Sequence, residues 1–330
     1  MRRNIAVAIG VVLFVVGIAI AHFALRPARS FGDSNAGKGA GGVQPGVNAS
    51  LGGRTPFPSD NPWNVDISSW PLEPDGDKYI TSIGPDAPLH PDFGANYNGA
   101  PYGIPYVVVS HDQPRMPVRF ESQEAAEESD QCYYPIPLDA PIEPGDRHVI
   151  VIDRDAWVLF ELYGARMAGD RWQAGSGAVF DLNSNAVRPE GWTSADAAGL
   201  PIFPGLIRYD EVMEQKEIRH ALRFTCKKTQ RAFIYPARHR ASKNKDASVP
   251  PMGLRVRLKA SFDISGFPEC DRVILKALKK YGMFLSDNGG NWFVSGAPDA
   301  RWSDEDLQAL KKVKGSDFEV VLIGNVIAKK

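Results

Sequence analysis

Through the middle of the chain, apolar and polar residues alternate in short runs separated by Pro, Gly, Asp and Asn, a pattern that predicts β-strands rather than helices. The expected strands are Ile104–Ser110, Met116–Glu121, His148–Ile152, Trp157–Tyr163, Ala178–Leu182 and His220–Thr225, followed by Ala232–Pro236, Leu254–Lys259, Met283–Ser286, Asn291–Val294 and Phe318–Leu322. They are rich in Val, Ile, Phe and Tyr, residues that suit a pleated surface. The period lengthens to that of a helix in two places. Glu269–Tyr281 carries Val273, Ile274, Ala277 and Leu278 as one apolar stripe ended by Gly282, and Ser303 caps a second helix over Asp304–Val313. Ahead of the strands, residues 55–103 lack long periodic runs. They predict an irregular wrap with one short helix near Lys78–Ile83, pinned by Trp63, Trp70, Phe93, Tyr97 and Tyr102. Many strands and two late helices predict an all-β body, a β-sandwich or jelly roll, because a parallel doubly wound sheet needs helices between its strands.

The N-terminus follows a different pattern. From Ile5 to Leu25 the chain is almost uninterruptedly apolar, and at about 1.5 Å per residue this run is about 30 Å long as a helix, enough to cross a bilayer. Arg2 and Arg3 precede it, and Arg26 and Arg29 follow. An uncleaved transmembrane anchor is one reading of residues 1–29; a signal peptide cleaved after Ala19-Ile20-Ala21 is the other. Both put the body outside the cytoplasm, membrane-held through residues 5–25 or secreted. Residues 30–54 contain eight glycines and predict a flexible linker, leaving 55–330 as a single extracytoplasmic domain. Asn48-Ala49-Ser50 fits the glycosylation sequon, though linker composition produces such tripeptides readily.

Charge narrows the partners. Six of the 38 basic residues but only one of the 39 acidic ones fall in residues 1–54, so the body is net acidic and lacks the footprint of a nucleic-acid binder. Three cysteines, Cys132, Cys226 and Cys270, allow at most one bridge, for which Cys132 with Cys270 is the expected pair. No cysteine pair has zinc-ligand spacing, no phosphate loop or dinucleotide fingerprint is present, and no cofactor is expected. Metal binding through Asp146, His148 and Glu161 is not demanded by their spacing.

Candidate chemistry then rests on polar residues in strands. In Trp157–Tyr163, Val158, Phe160 and Leu162 form one apolar face, and Trp157, Leu159, Glu161 and Tyr163 share the other. A carboxyl between aromatic rings suits sugar chemistry, since rings stack on a sugar and partial burial raises the acid's pKa. Glu161 is therefore a candidate acid or nucleophile, with Asp181 or Asp196 as its partner carboxylate and Trp157 and Tyr163 as binding surfaces. For elimination instead of hydrolysis, His220 or Tyr163 would move the proton and Arg208 or Arg223 would balance the developing charge. His148 stands at a strand mouth as a substrate-binding or acid/base residue, unless it only bonds its own loop. The long connection 184–210 carries Asp196 and reads as a functional loop or an ordered structural one. Arg255, Arg257 and Lys259 form a basic strip, suited to an acidic polysaccharide or to solvent.

Six segments of the body look familiar: Leu89-His90-Pro91-Asp92-Phe93-Gly94, Gly199-Leu200-Pro201-Ile202, Pro204-Gly205-Leu206-Ile207-Arg208, Ile218-Arg219-His220-Ala221-Leu222, Pro250-Pro251-Met252-Gly253 and Tyr281-Gly282. They resemble a family of exported bacterial hypothetical proteins with no assigned reaction, over most of residues 56–323. The resemblance implies export and one domain, and it transfers no catalytic residue. The expectation is an extracytoplasmic carbohydrate-active protein, a polysaccharide hydrolase or lyase whose partner is a polysaccharide or cell-envelope glycan. A non-catalytic glycan-binding module and a structural envelope protein are the alternatives.

Overall fold

The computed structural model describes residues 42–322 and 324–328; the apolar run at 5–25 lies outside them. Among the described residues no helix is long and apolar enough to cross a membrane. In chain order the first half contains β1 (Gly46–Val47), α1 (Gly76–Ile83), β2 (His90–Asp92), β3 (Gly94–Tyr97), β4 (Ala100–Tyr102), β5 (Val107–Val109), β6 (Met116–Phe120), α2 (Gln123–Glu127) and β7 (Tyr133–Tyr134). Then come β8 (Val149–Asp153), β9 (Val158–Tyr163), β10 (Arg166–Ala168), β11 (Arg171–Ala174) and β12 (Ser176–Asp181). The last part holds β13 (Leu222–Cys226), β14 (Arg255–Leu258), α3 (Glu269–Lys280), β15 (Met283–Asn288), β16 (Phe293–Ser295), α4 (Asp304–Leu307) and β17 (Phe318–Val320). The fold is sheet-rich with few, short helices, as the alternation predicts.

Three sheets carry the body. One has the order β1-β5-β8-β9-β12, a second β10-β11-β6-β7, and a third β17-β14-β15-β13-β16-β2; β3 and β4 form a separate hairpin. Most neighbours are antiparallel, but β5 with β8, β11 with β6, β13 with β15 and β16 with β2 run parallel. The five-stranded sheet is buried on both faces. Ile150, Ile152, Leu159 and Phe180 enter a large core with Leu222, Phe224, Leu285 and the stripe of α3, whereas Val149, Val151, Phe160 and Leu162 enter a smaller one with Trp172 and Ala174. The helix α3 ends where Gly282 turns with φ 65°, and a Cβ there would stand 2.2 Å from the Val256 carbonyl oxygen, so only glycine fits.

Several expectations are corrected by packing. Ala232–Pro236 forms no strand and makes only two isolated bridges at Phe233, to Met252 and to Ile327, and the helix begun at Asp304 tightens to a 3₁₀ turn over Gln308–Lys312. The short helix expected near Lys78–Ile83 is present as α1, whereas the wrap, expected to be irregular, contributes β2 to the edge of the six-stranded sheet. Trp63 and Phe93 anchor it in the core, while Trp70 and Tyr97 stay exposed. The described end of the Gly-rich stretch is ordered, with Gly46–Val47 paired to Val107–Val108 and Leu51 buried. Asn48 donates to the Pro298 carbonyl at 2.9 Å and accepts from the Tyr106 N–H at 3.0 Å, so the sequon amide is a structural tie. The basic strip is a clamp: Arg255 donates to the carbonyls of Tyr281 and Val65, and Arg257 to those of Ile67 and Trp70 and to Glu319. No bridge joins Cys132 to Cys270. All three thiols are unpaired, Cys132 packing against the smaller core and Cys270 within the larger one.

Candidate functional site

Glu161 points away from solvent. The face it shares with Leu159 and Trp157 turns into the larger core, so the open binding face expected there is itself covered, and Glu161 is 0% exposed. A buried carboxyl needs donors. They come from the turn Phe203–Gly205, where Ile202 N–H reaches both carboxyl oxygens at 3.0 Å and Phe203 N–H reaches Oε1 at 2.9 Å. Burial, with Asp196 nearby, still pushes its pKa up to about 7 against the lowering effect of these bonds. Glu161 is thus a sealed anchor for the turn, with no room for a substrate.

Around it, four other expected residues converge. Asp196, on the loop 184–210, and Arg223, on β13, form a buried bidentate pair at 2.9 and 2.6 Å, and Arg223 also donates to Ser295 Oγ. Burial opposes the charge on Arg223, and Asp196 more than restores it, raising its pKa. His148 Nδ1 bonds Glu143 at 2.7 Å and Nε2 faces the Ala195 carbonyl at 3.2 Å. With acceptors on both nitrogens, the ring is held as an imidazolium. Burial disfavours that state, but Glu143 raises the pKa of His148 overall and is itself held below its usual range. Tyr163 lies beside this group, its ring 5.8 Å from that of His148, and at 43% exposure it is the one expected binding aromatic open to solvent.

The residue missing from the sequence reading is Asp287. It accepts from Ala197 N–H at 3.3 Å and Asn288 N–H at 2.6 Å, which places its carboxyl close to Asp196, the residue before Ala197. Burial and, after it, the neighbouring Asp196 push its pKa up to about 7; the carboxyl is largely buried although the residue as a whole is partly exposed. A bulge explains its position: Phe224 pairs with Leu285 but Thr225 pairs with Asp287, so one residue is skipped. In regular alternation Ser286 would share the face of Arg223 and Phe284. The bulge puts Asp287 opposite Thr225 on that face instead. Asp-Asn-Gly-Gly reads as a turn in sequence, and nothing local marks the skipped residue.

The other expected residues sit elsewhere. Asp181 is at the far end of β12 from Ser176, which pairs with Tyr163, and it only accepts from Asn183. Trp157 is buried, and the Arg54 guanidinium lies 3.7 Å over its ring, covering the face expected to stack a sugar. His220, 1% exposed, bonds Glu211 through Nε2 at 3.1 Å and faces the Ala221 carbonyl with Nδ1 at 2.8 Å. Arg208 donates to the same Glu211 from the other side. His220 and Arg208 form a second buried group built on Glu211, and no residue joins it directly to Asp196.

What the first group can do chemically follows from its charges. Asp196 is neutralised by Arg223 and Glu143 by His148, so Asp287 and Glu161 are left as carboxyls that hold their protons near neutral pH. Of the two, Asp287 lies on the residue with partial exposure. Among the described residues no three His, Cys, Asp or Glu side chains are grouped to hold a metal ion. Comparison of the chain with protein-family models, with curated proteins and with solved structures gives no match.

Proposed function

We propose that the protein is an extracytoplasmic carbohydrate-active enzyme that cleaves a polysaccharide using Asp287 as its general acid. The observation that carries the reading is the placement of Asp287, a partly exposed residue, next to the Asp196–Arg223 pair by the bulge in β15 and its bond from Ala197 N–H. Burial first, and the neighbouring Asp196 second, raise the Asp287 carboxyl to about 7, so it still carries a proton in part of the population near neutral pH. Protonating a glycosidic leaving oxygen needs such an acid, and Tyr163, exposed next to His148, offers an aromatic surface on the same network. Glu161 and His148 act behind it as positioning residues, the first through the Ile202–Phe203 turn and the second through Glu143 and Ala195. We read the scaffold as a β-sandwich, supported by the core shared between the five- and six-stranded sheets. In this reading residues 5–25 anchor the body at a membrane or direct its export.

The burial of Glu161, Asp196 and His220 favours a second reading, a glycan-binding module without turnover. The full-length chain incubated with a panel of polysaccharides and peptidoglycan separates the two. Reducing ends and the absorbance of unsaturated uronates are followed together, the first signal alone marking hydrolysis and both marking elimination. Asp287→Asn is expected to lower the rate by about 10²–10⁴-fold, the range of a lost general acid, whereas Glu161→Gln keeps it. The wild-type rate should fall as pH rises through about 7, where Asp287 gives up its proton. Silence in both assays with retention on a polysaccharide column leaves the binding module; equal rates for Asp287→Asn and wild type remove Asp287 from the chemistry.

A further inference from the structure

One strongly basic run of the chain leaves from beside Asp287 and returns to it. Residues 227–245 carry seven Lys or Arg and no Asp or Glu, whereas the rest of 55–330 holds 25 basic and 38 acidic side chains. The run starts at the end of β13, where Cys226 pairs with Asn288, and Thr229 Oγ1 then donates to Asn288 Oδ1 at 2.8 Å. It comes back through Arg238 and His239, whose N–H groups donate to the Ala198 carbonyl at 2.8 and 3.1 Å. His239 Nδ1 bonds the Ala197 carbonyl at 2.8 Å, and the N–H of that same Ala197 donates to Asp287. Between the two ends, Arg231 N–H donates to the Asn244 carbonyl, which brings Lys243 and Lys245 alongside Arg231.

Burial sorts this run by chemistry. Ala232, Phe233, Ile234 and Ala237 are buried and pin it to the body. Lys227, Lys228, Lys243 and Lys245 are exposed, and Arg231 and Arg240 partly so. Among the described residues none of these six forms an ion pair, and in the whole run only His239 faces a carboxylate, Glu128 Oε2 at 4.0 Å. Like charges gathered without counter-charges repel one another and attract a polyanion from solution. Tyr235, 55% exposed, adds an aromatic face to the same stretch. The acidic remainder of the body decides between polyanions. Duplex nucleic acid, with a charge about every 1.7 Å, is repelled by that remainder wherever it extends past the run. A glycan with one carboxylate on a sugar spaces its charges more widely, and it also brings a glycosidic oxygen towards Asp287.

We propose that residues 227–245 form a docking surface for an acidic polysaccharide, one bearing uronate carboxylates, beside Asp287. The inference names the substrate class of the reaction proposed above and rests on that reading, but its test reads binding alone. The full-length chain is titrated with polygalacturonate, with dextran as the neutral control and a duplex oligonucleotide as the rival polyanion. Saturable binding of polygalacturonate and none of dextran is expected, weakening about tenfold or more between about 50 and 200 mM NaCl as counterions compete. Lys227→Glu with Lys228→Glu, and separately Lys243→Glu with Lys245→Glu, should each weaken it about tenfold by reversing charges at the surface. Lys276→Glu with Lys280→Glu, the same charge change on exposed positions of α3, should leave it unaltered. Absence of polygalacturonate binding at low salt, an equal loss in the α3 variant, or tighter binding of the oligonucleotide overturns the proposal. Cleavage of a neutral glycan without binding of polygalacturonate removes this inference and leaves Asp287 as the acid. Binding of polygalacturonate with equal rates for Asp287→Asn and wild type does the reverse.

Discussion

A carboxyl cut off from water is tolerable only where donors face it, and the backbone N–H groups of Ile202 and Phe203 are what make Glu161 tolerable in the larger core. Removing the side chain leaves those two donors unpaired beside a cavity. Glu161→Ala is therefore expected to destabilise the protein by about 2–5 kcal/mol in urea unfolding at pH 8. Glu161→Gln keeps an acceptor for the turn and removes the burden of a buried charge, so it should stay within about 1 kcal/mol of wild type at that pH. Equal losses in the two variants would mean that the carboxyl's ionic character, not its acceptor role, matters. Period-two alternation correctly grouped Glu161 with Trp157 and Leu159, but alternation carries no information on what covers a face.

At the level of elements, the turn Phe203–Gly205 links the two halves of the candidate site. Its amino end holds Glu161, and Gly205 lies against Arg223, where an added Cβ would come 2.9 Å from Arg223 Cβ and 2.8 Å from the Trp63 ring. Neither neighbour is free to move, one being paired to Asp196 and the other packed edge-on against Phe284. Gly205→Ala is expected to lower stability by about 1–3 kcal/mol through overpacking, seen as a lower urea midpoint with an unchanged m-value. An unaltered midpoint would show that the turn can shift and that its contact with Arg223 is loose. Ten of the eleven expected strands exist, since strong alternation over four to seven residues identifies them. The short strands β1, β2, β3, β4, β7, β10 and β11 lie outside the expected set, being too brief to show a period; strand pairing holds them, with burial of Tyr134, Trp172 and Ala174 in the smaller core for β7 and β11.

On the scale of the whole molecule, buried ionisable groups set a pH dependence with one sign. Burial raises the carboxyls of Glu161, Asp271 and Asp287 to about 7, so the folded state binds their protons more tightly than the unfolded chain. Stability from these groups is present in acid and is lost as pH rises from about 4 to 7. His148, raised by Glu143 despite burial, adds stability that is lost as pH climbs through its folded value above 6.5. Glu143 and Glu211, held low, act oppositely, but only as pH falls below the usual carboxylate range. The melting temperature is thus expected to fall between pH 5 and pH 8, each fully buried proton contributing a slope of up to about 1.4 kcal/mol per pH unit. A melting temperature that rises across this interval would contradict the burial of these carboxyls, and Glu161→Gln should flatten the slope.

Local chemistry determined much of this protein before any tertiary contact was known. The apolar, β-branched runs of Val149–Asp153 and Val158–Tyr163, the stripe of α3 with its glycine stop, and the polar caps each depend on neighbours within a few residues. Tertiary structure alone decided which side chains meet. That Asp287 takes the Ala197 N–H, that Arg54 covers Trp157, and that Arg255 and Arg257 clamp the wrap all join residues far apart in the chain. No local period encodes such meetings, because they depend on the covering of sheet faces and on a single skipped residue in β15.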